Sequence, residues 1–517
     1  MGSEPFLVCG ALVIVLVVLY AALVAKNRGS VAILEDTKKV WSTGRPLSGD
    51  VYAKDPQRLG YLLDAVTKPP ADMKTVVLAQ VIDLLQGDSL QPDQRRMVEE
   101  RMLELYPSLL NDKEPFVQQT AVRVAEAIQN ERSVPLIFSA LRNQSPWIVA
   151  EAARCLGRLG EQTAVPALID LLRSDLMQVR YAAATSLKKL GWSPDDATNA
   201  DAAAAYWAAT GDWERCALIG VPAIAPILCL YRDGETVTSR EIAESLPHRP
   251  KLVEQEKPAL VAALRSIGMP ALDVLVAGLR VHKESWEQRR EVSLWLINLG
   301  GSYIRRGTED RARSREDAQM MDSFIGKLRQ TAHDLLLALH DPRATDGIIA
   351  AVGDSEPQVR ELAVSLATQM PDPRAVPALA ANFDRIPVEM AVKAFLTIGG
   401  PTAREALAAN LERGGRTVAA ALMMMGDDRG LSWLLEDIRR TKNDKSAKAI
   451  GQAYQSAQLS AAHRAQIEQH GFLAVIREYD DGHMSRDDTG AESWVSHWKT
   501  EPTNLQRYLT DRWVLSD

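Results

Sequence analysis

The chain has 517 residues, of which 46% are hydrophobic but only 6% aromatic, and this composition suits closely packed helices better than one large globular core. Its net charge of −7 excludes a general electrostatic attraction to nucleic acid or to an anionic lipid surface. Four scattered cysteines without a Cys-X-X-Cys pattern argue against a disulfide framework and favour a reducing compartment.

An uncharged segment lies close to the N-terminus, after a short tail at residues 1–5. Residues 6–25 contain no charged side chain, and as a helix they would span about 30 Å, the thickness of a bilayer core. A cleaved signal peptide is the alternative, but no Lys or Arg precedes the apolar run, as is usual in signal peptides. We therefore predict a single uncleaved transmembrane helix.

The charges on the two sides of this segment predict its orientation. Glu4 is the charged side chain before it, whereas Lys26, Arg28 and further lysines follow it. Because positive charge remains on the cytoplasmic side, the N-terminus should lie outside and the repeats in the cytoplasm, as in a single-pass protein of the cytoplasmic membrane. A periplasmic location of the repeats is the alternative.

Two regions separate the predicted anchor from the first clear repeat. Residues 26–55 mix Gly, Ser, Pro and charged residues and are typical of a juxtamembrane linker. Residues 56–111 show helical patterns, including an apolar stripe through Val77, Val81 and Leu84. We interpret them as an N-terminal helical cap, because the terminal unit of an array must present one polar face to solvent.

Between residues 112 and 191 the chain repeats itself with a period of 31 residues. Val117, Ile148 and Val179 mark equal positions, and small or apolar residues recur at +4, +8 and +11 from each, which is the spacing of one helix face. At +18 the first two copies place a proline after a valine, as in Val134-Pro135, and proline suits the first turn of a helix. Residues 112–479 are therefore predicted to form an array of helix pairs.

These units resemble the short HEAT-like repeats of bacterial and archaeal proteins, the class that includes the phycobilin lyases. The resemblance is carried by Ala152-Ala153-Arg154 with Ala164-Val165-Pro166-Ala167-Leu168, and again by Pro357-Gln358-Val359-Arg360 with Asp372-Pro373-Arg374-Ala375-Val376-Pro377. It implies an all-α fold, an α-solenoid in which HEAT-like helix pairs form a superhelix. A lyase-like enzyme or regulator of the phycobilin-lyase class is a function that the resemblance leaves open.

An arginine follows the first apolar residue in two of the units. Arg180 and Arg360 each come a few residues after an aspartate, Asp175 and Asp354 respectively. In HEAT-like arrays an Asp/Arg pair of this type forms a ladder between neighbouring turns, so the resemblance implies a structural role. A clamp for an anionic ligand is the functional alternative.

The period breaks in an insertion at residues 192–220, whose alanine run and tryptophan spacing predict two extra helices. Trp192, Trp207 and Trp213 are candidate partner-binding residues, since exposed aromatic side chains often anchor interfaces. The alternative, which we favour, is that they pack the inserted helices onto the array.

A second insertion, at residues 300–322, mixes basic and acidic residues. Its arginines are candidates for docking a charged partner, although such a run most often forms a solvated surface. They are Arg305, Arg306, Arg311, Arg313 and Arg315. We expect no nucleic-acid partner, because acidic residues largely neutralise these arginines and Tyr303 is the one aromatic residue among them.

Residues 480–517 are predicted to form a polar linker followed by tryptophan-rich helices. Trp494 and Trp498 lie four residues apart and therefore on one helix face. We interpret this segment as a C-terminal cap, with recognition of another protein by the two tryptophans as the alternative.

The sequence contains no catalytic, cofactor or metal motif: HExxH, a P-loop, GxGxxG after a strand and a nucleophile elbow are all missing. Cys155 lies inside a repeat helix and is predicted to be a small buried residue rather than a nucleophile. We therefore expect no cofactor and no enzymatic activity. The predicted function is that of a membrane-anchored scaffold that binds protein partners at the cytoplasmic face of the membrane.

Overall fold

The computed structural model describes residues 56–67, 71–195, 197–231, 236–237, 252–300 and 315–441. The predicted membrane anchor, the linker at 26–55 and the C-terminal residues 480–517 lie outside these ranges. Within them, no single helix is both long and apolar enough to cross a membrane. Helices Glu254–Ile267 and Met269–Leu279 are long and apolar enough for such a crossing only when taken together, and the chain bends by 107° between them.

The chain divides into two compact units, residues 1–259 and 260–517. The helices of the first unit are α1 (Pro56–Ala65), α2 (Ala71–Gln86), α3 (Pro92–Leu110), α4 (Pro115–Ile128), α5 (Val134–Ala140), α6 (Pro146–Leu159), α7 (Val165–Leu171), α8 (Met177–Lys189), α9 (Ala200–Thr210), α10 (Trp213–Ile219) and α11 (Val221–Leu230). Two residues of β1 (Thr236–Val237) then pair in parallel with two of β2 (Leu252–Val253).

Helix α12 (Lys257–Ile267) lies at the boundary between the units. The helices of the second unit are α13 (Met269–Leu279), α14 (Arg290–Gly300), α15 (Arg315–Leu339), α16 (Thr345–Val352), α17 (Pro357–Gln369), α18 (Val376–Ala381), α19 (Val388–Ile398), α20 (Gly400–Ala409), α21 (Leu411–Met424) and α22 (Asp428–Thr441).

In the first unit, the first helices of consecutive repeats, α4, α6 and α8, pack side by side. Ala121, Ala152 and Ala183, which share one repeat position, are fully buried. Small residues allow a close approach here: a Cβ atom on Gly157 of α6 would lie 2.5 Å from the Cβ atom of Ser186 in α8. The apolar face that the period predicts is therefore the seam between neighbouring repeats.

The first insertion contains two helices, α9 and α10, which precede the next helix with a valine-proline start, α11. Helix α9 packs against both α8 and α11. The side chain of Asn199 caps its N-terminus by accepting backbone N–H bonds from Asp201 and Ala202. The inserted residues thus extend the stack of helices in the first unit.

The second unit stacks in the same way. The helices α15, α17, α19 and α21 pack consecutively, as do the shorter helices α16, α18 and α20.

Two kinds of turn join the helices within a pair. In one, an aspartate such as Asp372 caps a short 3-10 segment by accepting the backbone N–H of Arg374. In the other, a glycine such as Gly268, with φ +78°, leads directly into the next helix. The described residues are thus mostly helical, which agrees with the predicted all-α solenoid.

Candidate partner-binding groove

A groove of about 480 Å³ lies between α5 and α7, the second helices of two consecutive repeats. Its lining consists of Pro135, Phe138, Ser139, Leu141, Arg142, Ala167, Asp170 and Leu171. A volume of this size is in the range that protein pockets use to enclose a small ligand or several side chains of a partner.

The repeat pattern explains why the apolar lining residues are left uncovered. The inward residues of the two helices, Ile137 and Leu168, lie 31 residues apart and are fully buried. Phe138 follows Ile137 on the next face of α5 and is only half-buried. Leu141 and Leu171 are half-buried as well. The groove therefore presents apolar surface that the chain itself does not fully cover.

The groove carries one exposed charge on each wall. Arg142 follows the end of α5, and Asp170 lies in the last turn of α7. Opposite charges beside an apolar surface favour a bound segment that approaches in one orientation. None of the groove residues was among the predicted partner-binding residues. The signal in the sequence was the repeated valine-proline start, which places the two helices at equal positions in adjacent repeats.

The N-terminal cap holds α5, one of the two helices that line the groove, in place. The backbone oxygen of Leu136 accepts hydrogen bonds from the Tyr106 hydroxyl at 3.0 Å and from Ser139 Oγ at 2.6 Å. Burial raises the pKa of the Tyr106 phenol, so the hydroxyl stays protonated and remains a donor. Tyr106 lies in α3, and its bond therefore fixes a groove helix against the residues that precede the repeats.

An ionic cluster around the buried Glu151 joins α4 to α6, the first helices of the same two repeats. Glu126 of α4 accepts hydrogen bonds from Nε and Nη2 of Arg158, the second at 2.7 Å, and from the Cys155 thiol at 3.2 Å. Glu151 accepts bonds from Arg154 at 3.1 Å and from Arg158 at 3.2 Å. Two carboxylates and two guanidinium groups therefore balance each other within the seam.

The cluster keeps Glu151 charged and Cys155 neutral. Burial alone would raise the pKa of Glu151, but Arg154, Gln119 and Arg158 offset this effect, and the pKa is lowered. Burial, reinforced by the carboxylates of Glu126 and Glu151, raises the pKa of the Cys155 thiol well above its ordinary value. Cys155 is fully buried, as predicted, and a neutral buried thiol is a poor nucleophile.

Two tryptophans of the first insertion, Trp192 and Trp207, lie in one aromatic group with Tyr206. The Tyr206 ring lies edge-on to Trp192 and Trp207, with ring centroids 5.4 and 4.8 Å away. Arg215 lies over the Trp207 ring at 4.0 Å, and Trp213 is buried. These contacts pack the inserted helices. Trp192 and Trp207 are half-buried, and partner binding through their exposed edges remains a prediction.

The arginines expected in an Asp/Arg ladder bind backbone carbonyls. Arg180 Nη1 donates to the oxygen of Ser174 at 3.1 Å, and Arg360 Nη1 donates to that of Asp354 at 3.0 Å. The Asp354 carboxylate instead lies 3.0 Å from Nε2 of His282. Each of these bonds reaches back six residues and closes the loop that precedes the arginine's own helix. The ladder between neighbouring turns stays a prediction.

The same loop-closing contact occurs at a third repeat. Gln118 Nε2 donates to the backbone oxygen of Asp112 at 2.6 Å, again over six residues. Asp175 is exposed in the loop that Arg180 closes. Arg329 also binds a backbone carbonyl and is buried, although it was not predicted. It lies 31 residues before the equivalent arginine of the next repeat, so the period is the signal that identifies it.

The remaining predicted partner-binding residues are not part of the described structure. The side chain of Arg315, at the start of α15, is not described. Arg305, Arg306, Arg311, Arg313, Trp494 and Trp498 lie outside the described residues. Among the residues that the structure does describe, no group of three or more His, Cys, Asp or Glu side chains is arranged to hold a metal ion.

Comparison with known proteins locates a family within the first unit. No curated protein matches the chain. The complex of CpcE and CpcF of phycocyanin lyase from Nostoc sp. PCC7120 aligns at 13% identity with a TM-score of 0.20, over 63% of this chain and 94% of that chain. The crystal structure of an engineered protein aligns at 15% identity with a TM-score of 0.27, over 77% of this chain and 99% of that chain. Residues 103–208, which include both groove helices, match the family of HEAT repeats.

Proposed function

We propose that this protein is a membrane-anchored scaffold that binds segments of other proteins in the groove between α5 and α7. The observation that carries the proposal is the groove itself, an uncovered apolar surface between two adjacent HEAT repeats. Repeat arrays lack a single enclosed pocket and offer extended surfaces of this kind to partners.

The lining of the groove supports recognition of a protein segment with an apolar anchor. Phe138, Leu141 and Leu171 offer apolar surface, whose burial contributes about 25 cal/mol per Å². Arg142 and Asp170 add one charge on each side, and these polar groups would orient the segment. The ionic cluster between α4 and α6 restrains the first helices of the same two repeats, so that little ordering is required when the partner binds.

We further propose that residues 6–25 tether the protein to a membrane with the repeats in the cytoplasm. The uncharged sequence of this segment and the basic residues that follow it support this topology. A tether confines the groove to the neighbourhood of the bilayer and raises its effective concentration toward membrane-bound partners.

Substitutions in the groove test the scaffold function. We expect Phe138→Ser and Asp170→Arg each to reduce the amount of the proteins that co-purify with the full-length chain from solubilised membranes by at least about tenfold. Phe116→Ser is the matched control, because Phe116 is 71% exposed at the start of α4 and does not line the groove. This control should capture the same proteins as the wild type.

The stability of each variant separates binding from folding. Asp170 is exposed, so Asp170→Arg should change the free energy of unfolding by no more than about 0.5 kcal/mol. Capture of the same proteins in the same amounts by both groove variants would refute the groove as the binding site. A reaction catalysed by the purified protein alone would instead support the lyase-like alternative.

A further inference from the structure

In the second unit, several basic side chains converge on the loop between α16 and α17. Arg360 donates from Nη1 to the backbone oxygens of Asp354 at 3.0 Å and Ser355 at 2.8 Å. Arg385 donates from Nη2 to the same Asp354 oxygen at 3.0 Å. These bonds satisfy the guanidinium donors, but a carbonyl oxygen carries no net charge and does not neutralise an arginine.

The loop after α13 adds further basic groups on the other side of Asp354. Nε2 of His282 lies 3.0 Å from Oδ1 of the Asp354 carboxylate, and Nε of Arg280 lies 3.5 Å from Oδ2. Arg329 of α15 donates to the backbone oxygen of Val281 from Nη2 at 2.7 Å and from Nε at 3.1 Å. The side chains of three consecutive repeats therefore meet at this edge.

Positive charge exceeds negative charge at this edge even when the histidine is neutral. The facing acidic groups pair as Lys283 with Asp322, Arg329 with Glu356 and Arg280 with Asp354. The charges of Arg360 and Arg385 remain in excess. The neighbouring pair of Arg413 with Asp384 adds no net charge. We name this set, Arg280, His282, Lys283, Arg329, Arg360 and Arg385, the basic edge.

The basic edge has an exposed rim above a buried floor. The Arg280 side chain is 43% exposed and Arg385 is also exposed, whereas Arg329 and Arg360 are buried. Burial lowers the pKa of Arg329, which shows that its charge is poorly solvated. A charge held away from water interacts more strongly with an approaching anion than a solvated charge does.

We propose that the basic edge binds an acidic segment of a protein partner. Guanidinium groups suit the recognition of carboxylates, and their charge attracts a chain of glutamates or aspartates. The hydrogen bonds of Arg385 go to uncharged oxygens, so the charge of this exposed arginine is available to such a chain. The net charge of the whole chain is −7, so the chain as a whole repels an acidic partner, whereas the basic edge attracts it. This inference names a partner class for the proposed scaffold and rests on that function.

Binding of a defined acidic probe tests the proposal. The full-length protein in detergent is titrated against fluorescein-labelled octaglutamate, and binding is followed by fluorescence anisotropy, with octaglutamine as the neutral probe. We expect the pair Arg280→Gln and Arg385→Gln to weaken binding of octaglutamate by at least about tenfold. The pair Arg280→Lys and Arg385→Lys, which keeps the charge, should retain most of it. Arg385→Gln alone should give an intermediate loss of octaglutamate binding. This single variant provides the test if the double variant does not fold.

The matched control is the pair Arg343→Gln and Arg374→Gln. Both arginines are exposed in the same unit, and each lies within 2.8 Å of an aspartate oxygen, in Asp341 or Asp372. In the test pair, by contrast, Arg280 lies 3.5 Å from Asp354, and Arg385 donates to uncharged oxygens. The control removes the same net charge and should alter binding by less than about twofold.

Three results would overturn the proposal. The first is that the wild type does not prefer octaglutamate to octaglutamine. The second is an equal loss of binding in the control pair, which would show an effect of overall charge. The third is displacement of octaglutamate by inorganic phosphate at lower concentration than by free glutamate, which would identify a phosphate site. Phe138→Ser, which alters the groove of the first unit, should leave the binding of octaglutamate to the basic edge intact. Failure of the proposed groove and failure of the proposed basic edge are therefore distinguishable.

Discussion

At the scale of single residues, the seam between α4 and α6 shows how a charged group becomes part of a helical core. Glu151 is almost fully buried, and its carboxylate accepts hydrogen bonds from Gln119, Arg154 and Arg158. Without these partners a buried carboxylate would be strongly destabilising. The burial of Cys155 could be predicted from the repeat period. Its contact with the Glu126 carboxylate could not, because Glu126 lies on a different helix, α4, and the period marks only small and apolar positions.

The lowered pKa of Glu151 predicts how stability depends on pH. A carboxyl whose pKa is lower in the folded than in the unfolded state stabilises the fold above its ordinary pKa of 4.5, and this contribution is lost as the pH falls through the folded value. We expect Glu151→Gln to lower the midpoint of urea unfolding at pH 7, and the difference from the wild type to shrink below about pH 4.5. Far-ultraviolet circular dichroism provides the measurement.

Glu104→Gln is the control for this effect. The Glu104 side chain is 67% exposed in an ion pair with Arg101, and exposed pairs contribute little. It should leave the unfolding midpoint unchanged at every pH. If Glu151→Gln shifts the midpoint by the same amount at pH 7 and at pH 3.5, the lost charge is not the cause of the destabilisation.

At the scale of elements, close packing of neighbouring helices depends on glycine at the seam. Gly157→Ala places a methyl group 2.5 Å from the Cβ atom of Ser186, so α6 and α8 must separate, and we expect a loss of about 1–3 kcal/mol in the free energy of unfolding. Gly60→Ala in α1 is the matched helical control, since nothing lies within 4 Å of the added atom. It should be neutral or stabilising by up to about 1 kcal/mol. Thermal unfolding that moves in the same direction for both variants would contradict this account.

The helix pairs could be predicted from the sequence because their signals are local. The 31-residue period and the proline after Val134 both act within one or two helices, and the structure has α5 starting at that valine. The groove could not be predicted in this way, because it consists of whatever surface two helices leave uncovered when they pack. Residue type alone made the tryptophans of the first insertion candidates for both binding and packing, with packing favoured, and Trp213 is buried.

The partner of Arg360 illustrates the same limit at the loop between α16 and α17. Sequence spacing places it near Asp354, and the two residues do meet, but through the backbone oxygen of the aspartate. The carboxylate is bound by His282 from a repeat that lies far away along the chain. Pairing between repeats depends on their stacking, which a single sequence period does not encode.

At the scale of the whole molecule, two kinds of surface serve the proposed scaffold function. The groove in the first unit is largely apolar with one charge on each wall, whereas the basic edge of the second unit is positive. Their different chemistry allows two segments to be distinguished, because apolar burial contributes affinity and charge contributes orientation and the rate of association.

The proposed membrane anchor would determine where these surfaces act, and its test concerns the whole chain. Residues 6–25 offer twenty uncharged residues, enough for one bilayer crossing, so we expect the full-length protein to remain in the membrane pellet after carbonate extraction. A variant without residues 1–25 should move to the supernatant. Because basic residues follow the segment, protease added to intact spheroplasts should leave the repeats uncut until the cells are lysed. Release of the full-length chain by carbonate would refute the anchor, and digestion of the repeats from outside would place them in the periplasm.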